Sequence, residues 1–381
     1  MSDAPCRSQP LTGCKVLDFS TLLPGPFATQ MLAQAGAEVI KIERPNGGDE
    51  LRAGTPRFGD TSLSFALLNA GKRSVAVDLK SDAARASLLP LLLEADVLVE
   101  QFRPGVMERL GLGHRALMDL NPRLIYCSIT GYGQDGPSSQ VAGHDLTYMA
   151  ECGLLSLASD ANGEPTIPPV LIGDIAGGSM PAVINILLAL RYRDLTGQGS
   201  RLDISITDSL LSFPYWAIAR GVGYADWPKT GQERLTGGSP RYQLYRTSEG
   251  RHVAAAPLEQ RFWDVFCEVL GLAHQWRDDR VDPAGTRAAV AALVEQHDAN
   301  HWRRKFSNVD ACAVVVNTME EAAAHPHFHS RGLFDRSIRD GDRTIPALKL
   351  PLDPQFIQKQ APDNGPSLGE GNGLLRGAVY S

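Results

Sequence analysis

The sequence predicts an α/β fold, with a parallel sheet in a large first domain and a smaller α+β domain after it. Through the first half of the chain, short apolar runs typical of buried strands alternate with runs typical of helices. The connections between them are short, which favours parallel strands joined by crossover helices in a doubly wound sheet. A length of 381 residues is more than one ordinary core accommodates, so we expect two domains.

The first half of the chain supplies most of the predicted sheet. Five runs have the apolar, β-branched character of buried strands: residues 15–19, 39–43, 74–79, 97–102 and 124–130. Two intervening runs are predicted as helices: residues 27–35 and 83–94. Gly36 ends the first of these helices, as glycine commonly does.

The second half completes the large domain and forms the small one. Its predicted elements, in chain order, are a helix, a strand and a helix, then two strands and two amphipathic helices: residues 180–192, 200–206, 208–220, 242–246, 252–256, 260–270 and 287–296. The Gly- and Pro-rich residues 221–240 are the predicted linker between a domain of residues 1–220 and a small domain of residues 241–330. Residues 331–381, rich in Pro, Gly and Asn from Pro346 onward, are predicted to complete the large domain as an extended tail.

Composition argues against several classes of protein. A net charge of -6 gives no overall attraction to nucleic acid or to an anionic membrane. The longest apolar stretch, residues 182–190, is interrupted by Asn185 and is too short to cross a bilayer. The first residues lack the pattern of a secretory signal, and the six cysteines include no C-x-x-C pair. We therefore expect a cytoplasmic protein with reduced thiols.

Several familiar motifs are missing. The predicted sheet is Rossmann-like, yet the turn after its first strand does not match G-x-G-x-x-G, which argues against a nicotinamide enzyme. The chain also has no G-x-x-x-x-G-K-[ST], H-E-x-x-H or G-x-S-x-G motif. The three histidines of residues 325–329 have no supporting acid or cysteine pattern, so we expect a polar loop there and no metal site.

A histidine and an aspartate, each preceded by glycine, form the candidate catalytic pair. They are His144 and Asp174, and both lie in small or apolar sequence. Imidazole titrates near neutral pH, and burial among apolar neighbours would raise the pKa of the aspartate towards neutrality. Two such groups can remove a proton from one face of a carbon and return one to the other. The plainer alternatives are a structural histidine and an aspartate that caps the following helix.

Two further features concern ligand binding and support of the pair. Glu259 either starts a helix as a first-turn carboxylate or fixes the tautomer of His144. Basic residues recur after successive predicted strands, which suggests one anionic ligand along the carboxyl edge of the sheet. They are Arg44, Arg52, Lys72, Arg73, Arg103 and Arg109. A solvated basic surface is the alternative.

These motifs together resemble the family III CoA-transferase (CaiB/BaiF) superfamily, and within it the alpha-methylacyl-CoA racemases most closely. The resemblance extends over about residues 11–334. It rests on Leu23-Pro24-Gly25-Pro26, Lys41-Ile42-Glu43-Arg44-Pro45, Gly71-Lys72-Arg73-Ser74, Arg103-Pro104-Gly105-Val106-Met107-Glu108-Arg109-Leu110, Gly131-Tyr132-Gly133-Gln134, Ala142-Gly143-His144-Asp145, Gly173-Asp174 and Gly237-Gly238-Ser239-Pro240.

The resemblance implies roles for particular residues. Asp174 would be a proton-transfer base in a racemase or the nucleophile in a transferase, His144 the second base, and Glu259 its support. Coenzyme A, as part of the substrate and with no prosthetic group, would be held by Arg44, Gly71, Lys72, Arg73, Arg103, Arg109, Gly143, Asp145 and Tyr148. The family's interlocked homodimer would share its active sites, so Glu259 would reach His144 from the partner chain.

Two enzymatic functions remain open, beside a non-catalytic acyl-CoA-binding module. The first is a racemase of 2-methyl-branched acyl-CoA thioesters in lipid metabolism, because the thioester carbonyl acidifies the α-hydrogen between His144 and Asp174. Backbone amides near Asp174 would stabilise the enolate oxygen. The second is a CoA-transferase that moves CoA from an acyl-CoA to a carboxylate through an aspartyl-CoA thioester.

Overall fold

The structure, a computed structural model, describes residues 9–58, 61–160, 163–340, 342–357 and 363–375. The chain forms two compact units. The first unit comprises Met1–Cys152, Pro168–Phe213 and His329–Ser381, and the second comprises Gly153–Ile167 and Pro214–Phe328. The predicted linker, residues 221–240, lies inside the second unit. Part of the predicted C-terminal tail, residues 358–362 and 376–381, lies outside the described residues.

A six-stranded parallel sheet is the centre of the first unit. Its strands in chain order are β1 (Lys15–Asp18), β2 (Glu38–Glu43), β3 (Arg73–Ala76), β4 (Val97–Glu100), β5 (Ile125–Thr130) and β6 (Ser200–Ser205). They are arranged β3-β2-β1-β4-β5-β6, with every pairing parallel. This order is that of a doubly wound Rossmann-like sheet, which confirms the predicted fold class.

Fifteen α-helices are described in the two units. They are α1 (Pro24–Gln34), α2 (Leu63–Asn69), α3 (Asp82–Ala86), α4 (Leu89–Glu94), α5 (Val106–Arg109), α6 (His114–Leu120), α7 (Asp145–Glu151), α8 (Met180–Thr196), α9 (Ile206–Leu211), α10 (Tyr215–Tyr224), α11 (Gln260–Leu270), α12 (Pro283–Val294), α13 (Ala299–Phe306), α14 (Met319–Ala323) and α15 (Pro326–Ser330). Residues from strands and helices, among them Leu17, Ile40, Leu91 and Tyr126, form a buried core on the sheet of the first unit.

Two helices predicted as single elements are each divided. The predicted helix over residues 83–94 is divided into α3 and α4, and Pro90 stands in the first turn of α4. The predicted helix over residues 208–220 is divided into α9 and α10, with Pro214 immediately before α10. Proline lacks an amide hydrogen and its ring clashes with the preceding turn, so a helix can begin at proline but rarely continues through it.

The helix after Asp174 is longer than the sequence pattern predicts. Residues Gly173–Ser179 form a π-helix that continues directly into α8. By length and composition, the combined helix Gly173–Thr196 is apolar enough to cross a bilayer, although 44% of its apolar window is buried in the protein. Helix α8 packs against α1 and against strands β5 and β6, as a core helix of the first unit does.

The second unit contains a three-stranded antiparallel sheet covered by helices. Its strands are β7 (Gln243–Arg246), β8 (His252–Ala255) and β9 (Ala313–Val315), in the order β9-β8-β7. Trp263 and Phe266 of α11 and Trp302 of α13 are nearly completely buried beside this sheet. The apolar positions of α11 therefore face the core, as its amphipathic sequence predicts.

The C-terminal segment packs on the edge strand of the large sheet. After β10 (Arg336–Asp340), β11 (Arg343–Ala347) and β12 (Asp363–Asn364), the amide of Gly371 donates to the Ser74 carbonyl at 2.7 Å. The amide of Ala76 donates to Asn372 Oδ1 at 2.8 Å. Both acceptor and donor belong to β3, so these contacts cover an otherwise open sheet edge.

Candidate active site

Asp174 is held on the π-helix by its backbone, while its carboxylate is left unpaired. Its amide donates to Oδ1 of Asp145 at 2.8 Å, and the hydroxyl of Ser179 lies 3.1 Å from its carbonyl. The half-buried carboxylate accepts no hydrogen bond from any residue that the structure describes. The residue preceding the helix is Ile172, and no side chain caps the helix. The alternative of a helix-capping aspartate therefore does not hold.

The surroundings of Asp174 raise the pKa of its carboxyl to about 6. Burial is the largest cause, because it disfavours the charged form. The carboxylate of Asp145 adds to the increase, and the imidazole of His144 opposes it. At neutral pH the carboxyl can therefore exchange a proton with little free-energy cost, as a general acid or base must.

His144 is presented to solvent at the start of α7. Its backbone amide donates to Oγ1 of Thr147 at 2.9 Å, and the same hydroxyl donates to the His144 carbonyl at 2.8 Å. These reciprocal bonds fix the backbone and leave the imidazole exposed. Asp145, the next residue, accepts from the Asp174 amide at 2.8 Å, and the imidazole lowers the pKa of Asp174, so the structure places the two candidate residues in the same region.

Tyr148 supports the loop that precedes His144. Its hydroxyl donates to the Gly143 carbonyl at 2.6 Å. A Cβ atom at Gly143 or at Gly131 would lie 2.4 Å from the Tyr148 ring, so both positions need glycine. Burial, followed by the charge of Asp174, raises the pKa of Tyr148 to about 12, which keeps the phenol neutral. Tyr148 thus fixes the position of the Gly143 carbonyl and the adjacent histidine.

Backbone amides near Asp174 were expected to stabilise an enolate oxygen, and for the amides of Asp174 and Ile175 that expectation is wrong. The Asp174 amide is engaged by Asp145, and the Ile175 amide donates to the Leu171 carbonyl at 3.1 Å. A donor that already has a protein acceptor is not free for a developing oxyanion. The structure instead gives Asp145 a role that the sequence did not indicate, since it orients the backbone of Asp174.

The predicted CoA-binding arginines differ in their freedom. Arg44 lies 3.1 Å from Glu50, and Arg73 lies 3.3 Å from Glu38, in exposed ion pairs. Arg103 and Arg109 are exposed, and neither forms an ion pair with any residue in the described ranges. These two guanidinium groups are therefore the most available to an anionic ligand, and they follow the carboxyl end of β4. Gly71, with a φ of +82°, forms the turn before β3.

Lys72 departs from the expectation that it contacts a phosphate. Its ammonium group is completely buried and lies 3.1 Å from Asp18 Oδ2. It also donates to Oγ1 of Thr29 at 2.8 Å, to Oδ1 of Asn69 at 2.9 Å and to the Pro26 carbonyl at 3.0 Å. A basic residue in this motif resembles a ligand contact in sequence, but here all three of its protons have acceptors inside the protein.

Glu259 lies in the second unit, at the residue before α11. Its side chain is exposed and does not cap that helix, although its carbonyl accepts from the amide of Trp263 at 3.0 Å. The backbone of Glu259 thus takes part in the start of α11, as the plainer alternative predicts, and its side chain does not. Its contact with a partner's histidine stays a prediction.

The second unit also contains an open cavity of about 960 Å³, lined by charged residues among others. Arg241 forms two hydrogen bonds with Asp279, and Arg280 forms two with Asp278. Much of the charge on the cavity lining is therefore compensated by neighbouring residues. Within the ranges the structure describes, no group of three or more His, Cys, Asp or Glu residues could hold a metal ion. The histidines of residues 325–329 overlap helix α15 and do not form the predicted loop.

Comparison with known proteins assigns the chain to a family. The sequence profile of CoA-transferase family III matches residues 11–372. Alpha-methylacyl-CoA racemase from Homo sapiens is 34% identical over 354 residues, which cover 91% of this chain and 88% of that protein. Succinate–glutarate CoA-transferase from Agrobacterium fabrum is 33% identical over 97% of this chain and 96% of that protein.

Solved structures agree with this assignment. A CaiB/BaiF family protein from Brucella suis has a TM-score of 0.82 at 27% identity, covering 97% of this chain and 99% of that chain. Rv3272 from Mycobacterium tuberculosis has a TM-score of 0.82 at 28% identity, covering 96% and 99%. The relatives thus include both racemases and CoA-transferases. The chain belongs to CoA-transferase family III.

Proposed function

We propose that this enzyme is a racemase of 2-methyl-branched acyl-CoA thioesters that uses His144 and Asp174 as its two proton-transfer groups. The observation that carries the proposal is a carboxylate without a hydrogen-bond partner among the described residues, whose backbone contacts Asp145, the residue after the exposed His144, at 2.8 Å. Racemisation by two bases needs a second proton-transfer group, which the exposed imidazole of His144 supplies, whereas CoA transfer through an aspartyl thioester needs only the carboxylate of Asp174. The human racemase, at 34% identity, supports the same reaction.

The reaction needs only proton transfers at one carbon. One of the two groups removes the α-hydrogen as a proton, and the electron pair moves into the thioester carbonyl to form an enolate. The other group then donates a proton to the opposite face, and the carbonyl is restored. Inversion leaves each group in the protonation state that the other direction requires, so solvent exchange or the reverse reaction resets the pair.

The CoA moiety and the partner chain are assigned within the same proposal. Arg103 and Arg109 would pair with CoA phosphates, because they are exposed and carry no competing carboxylate in the described part of the chain. Glu259 would orient the imidazole of His144 across a homodimer. We place the enzyme in the cytoplasm, with no nucleic acid or membrane partner.

An exposed apolar face supports the homodimer. Five large apolar residues of α8 occupy one stripe and are between 45% and 68% exposed: Ile184, Leu187, Leu188, Tyr192 and Leu195. A stripe of this size on a single chain is typical of a surface that another protein covers. We assign a second copy of the chain to it.

Deuterium incorporation tests the reaction directly. Each epimer of a 2-methylacyl-CoA is incubated in heavy water without an acceptor acid, and α-deuterium and inversion are measured separately. The wild-type enzyme should incorporate deuterium and invert both epimers. Asp174→Asn and His144→Gln should each reduce inversion by about 10²- to 10⁴-fold. Each variant should retain exchange at one epimer, and the two variants at opposite epimers. Asp208→Asn, an exposed carboxylate of α9, is the matched control.

The same assay contains the outcome that contradicts the proposal. Absence of α-deuterium, with CoA transferred to an added dicarboxylate such as succinate, would identify the enzyme as a transferase with Asp174 as nucleophile. Mixing inactive His144→Gln chains with weakened Glu259→Gln chains tests the shared site. Mixed dimers should regain activity if Glu259 acts on the partner's histidine, and should not if it acts within its own chain.

A further inference from the structure

The hydroxyl of Ser179 connects the helix that bears Asp174 to Pro24, the first residue of α1, which follows the turn after β1. Ser179 is completely buried, and its Oγ lies 2.7 Å from the Pro24 carbonyl and 3.1 Å from the Asp174 carbonyl. Its single proton is therefore shared between two acceptors. The second contact joins residues five apart, which is the spacing of a π-helical turn. The hydroxyl thus adds a side-chain hydrogen bond across the turn that begins at Asp174.

The two glycines before Ser179 allow this close approach. A Cβ atom at Gly178 would lie 3.1 Å from Cβ of Pro24, and one at Gly177 would lie 3.0 Å from the Ile206 carbonyl. The π-helix is therefore packed between the start of α1, at Pro24, and the start of α9. Because no side chain fits between these backbones, a small movement of the turn is transmitted to the helix.

The turn before Pro24 is itself anchored to buried charges. Leu22 adopts a φ of +61°, a left-handed conformation that is unfavourable for a residue with a side chain. Its amide donates to Oδ1 of Asp49 at 3.2 Å, and Lys41 donates to the Ser20 carbonyl at 2.7 Å. Lys41 and Asp49 lie 2.9 Å apart, and both side chains are fully buried. The surrounding structure thus imposes the unfavourable conformation of the turn.

We propose that Ser179 is a positioning residue that transmits this rigid turn to Asp174 and thereby sets the direction of its carboxylate. The inference rests on the proposed function, in which Asp174 transfers a proton at a fixed carbon. A displacement of about 1 Å at a reacting group can reduce a rate about 10²-fold, because the proton must travel along a short, aligned path. Loss of the Ser179 hydroxyl leaves the buried Pro24 carbonyl without this donor and removes the side-chain bond to the Asp174 carbonyl.

The test compares kcat with KM in the deuterium-exchange assay. Ser179→Ala should lower kcat about ten- to 100-fold and leave KM for the acyl-CoA within about two-fold, because the CoA-binding arginines are untouched. Ser179→Thr, which keeps the hydroxyl, should restore most of kcat. The matched control is Ser87→Ala, because Ser87 is also buried and donates to a backbone carbonyl, that of Ala84, at 2.6 Å. It should leave kcat and KM unchanged even if it lowers the melting temperature.

The outcomes separate this inference from the proposed function. Absence of exchange by the wild-type enzyme contradicts the racemase proposal, and the same kcat comparison is then made on CoA transfer, for which Asp174 would be the nucleophile. A wild-type kcat in Ser179→Ala, or an equal loss in Ser87→Ala, overturns the positioning role. If Ser179→Ala does not fold, Ser179→Cys retains the volume with a weaker donor and must show the kcat loss.

Discussion

Two aspartates of the first unit occupy opposite environments. Asp18 is completely buried at the end of β1, where Lys72 lies 3.1 Å away and the hydroxyls of Ser20 and Thr29 donate to its carboxylate. Burial alone would raise the pKa of Asp18, but the ammonium of Lys72, followed by that of Lys41, holds it well below its usual range. Asp174 is less buried, yet the pKa of its carboxyl is raised to about 6.

The difference shows that compensation, more than depth, decides what a buried carboxylate does. Asp18 has a cation and hydroxyl donors, so it stays ionised and stabilises the structure at the carboxyl end of β1. Asp174 has another carboxylate beside it and no donor to its oxygens among the described residues, so it remains able to titrate near neutral pH. A reactive group needs that freedom, and a structural one does not.

The largest expected effect comes from removing the compensation of Asp18. Lys72→Met leaves a fully buried carboxylate without its cation and should lower the free energy of unfolding by about 3–5 kcal/mol. Urea denaturation followed by circular dichroism measures this loss. Arg73→Met, which removes an exposed ion pair with Glu38 at 3.3 Å, is the control and should cost about 0–1 kcal/mol.

The double variant Asp18→Asn/Lys72→Met sharpens this result. Removing both charges should recover much of the stability, because no uncompensated charge remains buried. A Lys72→Met protein as stable as the control variant would show that Asp18 does not depend on its cation.

Removing the charge of Asp174 should raise the free energy of unfolding, whereas removing the cation beside Asp18 should lower it. Because its pKa is raised in the folded state, ionisation of Asp174 costs stability above pH 6, and the cost is relieved as the pH falls from 6 towards 4. Asp174→Asn should therefore stabilise the fold by about 1–3 kcal/mol at pH 8, while it lowers inversion by about 10²- to 10⁴-fold. Most of the stabilisation should be lost near pH 4, where the carboxyl of the folded wild-type protein is protonated, and the rest should be lost below about pH 3, where the unfolded chain is protonated as well. Unfolding at the two pH values checks this, and a destabilised variant at pH 8 would contradict it.

The sequence predicted the sheet, which the structure confirms, and it singled out the proposed pair His144 and Asp174, because both inferences depend on local patterns. Buried parallel strands are continuous apolar runs, and a glycine-flanked histidine or aspartate stands out against them. The role of Lys72 was not predictable, since its partner Asp18 is distant in sequence and a buried ion pair resembles a surface basic motif. The role of Ser179 was missed for a similar reason. A serine that precedes a predicted helix is typical of an ordinary N-terminal cap, and its contact with Pro24 is distant in sequence.

The smallest expected effect concerns the neighbour that repels Asp174. Asp145→Asn removes a negative charge but retains an oxygen that can accept the Asp174 amide, so the backbone contact at 2.8 Å should persist. The pKa of Asp174 should then fall, because the second cause of its elevation is gone while burial remains. For the epimer from which Asp174 removes the proton, kcat/KM should decline at a lower pH than in the wild-type enzyme. For the opposite epimer, which needs Asp174 protonated, the decline on the alkaline side should also move to lower pH.

The pH profile of kcat/KM for each epimer measures both shifts, with Asp208→Asn as the unshifted control. Movement of the other limb of each profile, alkaline for the first epimer and acidic for the second, would mean that Asp145 acts on the second proton-transfer group and not on Asp174.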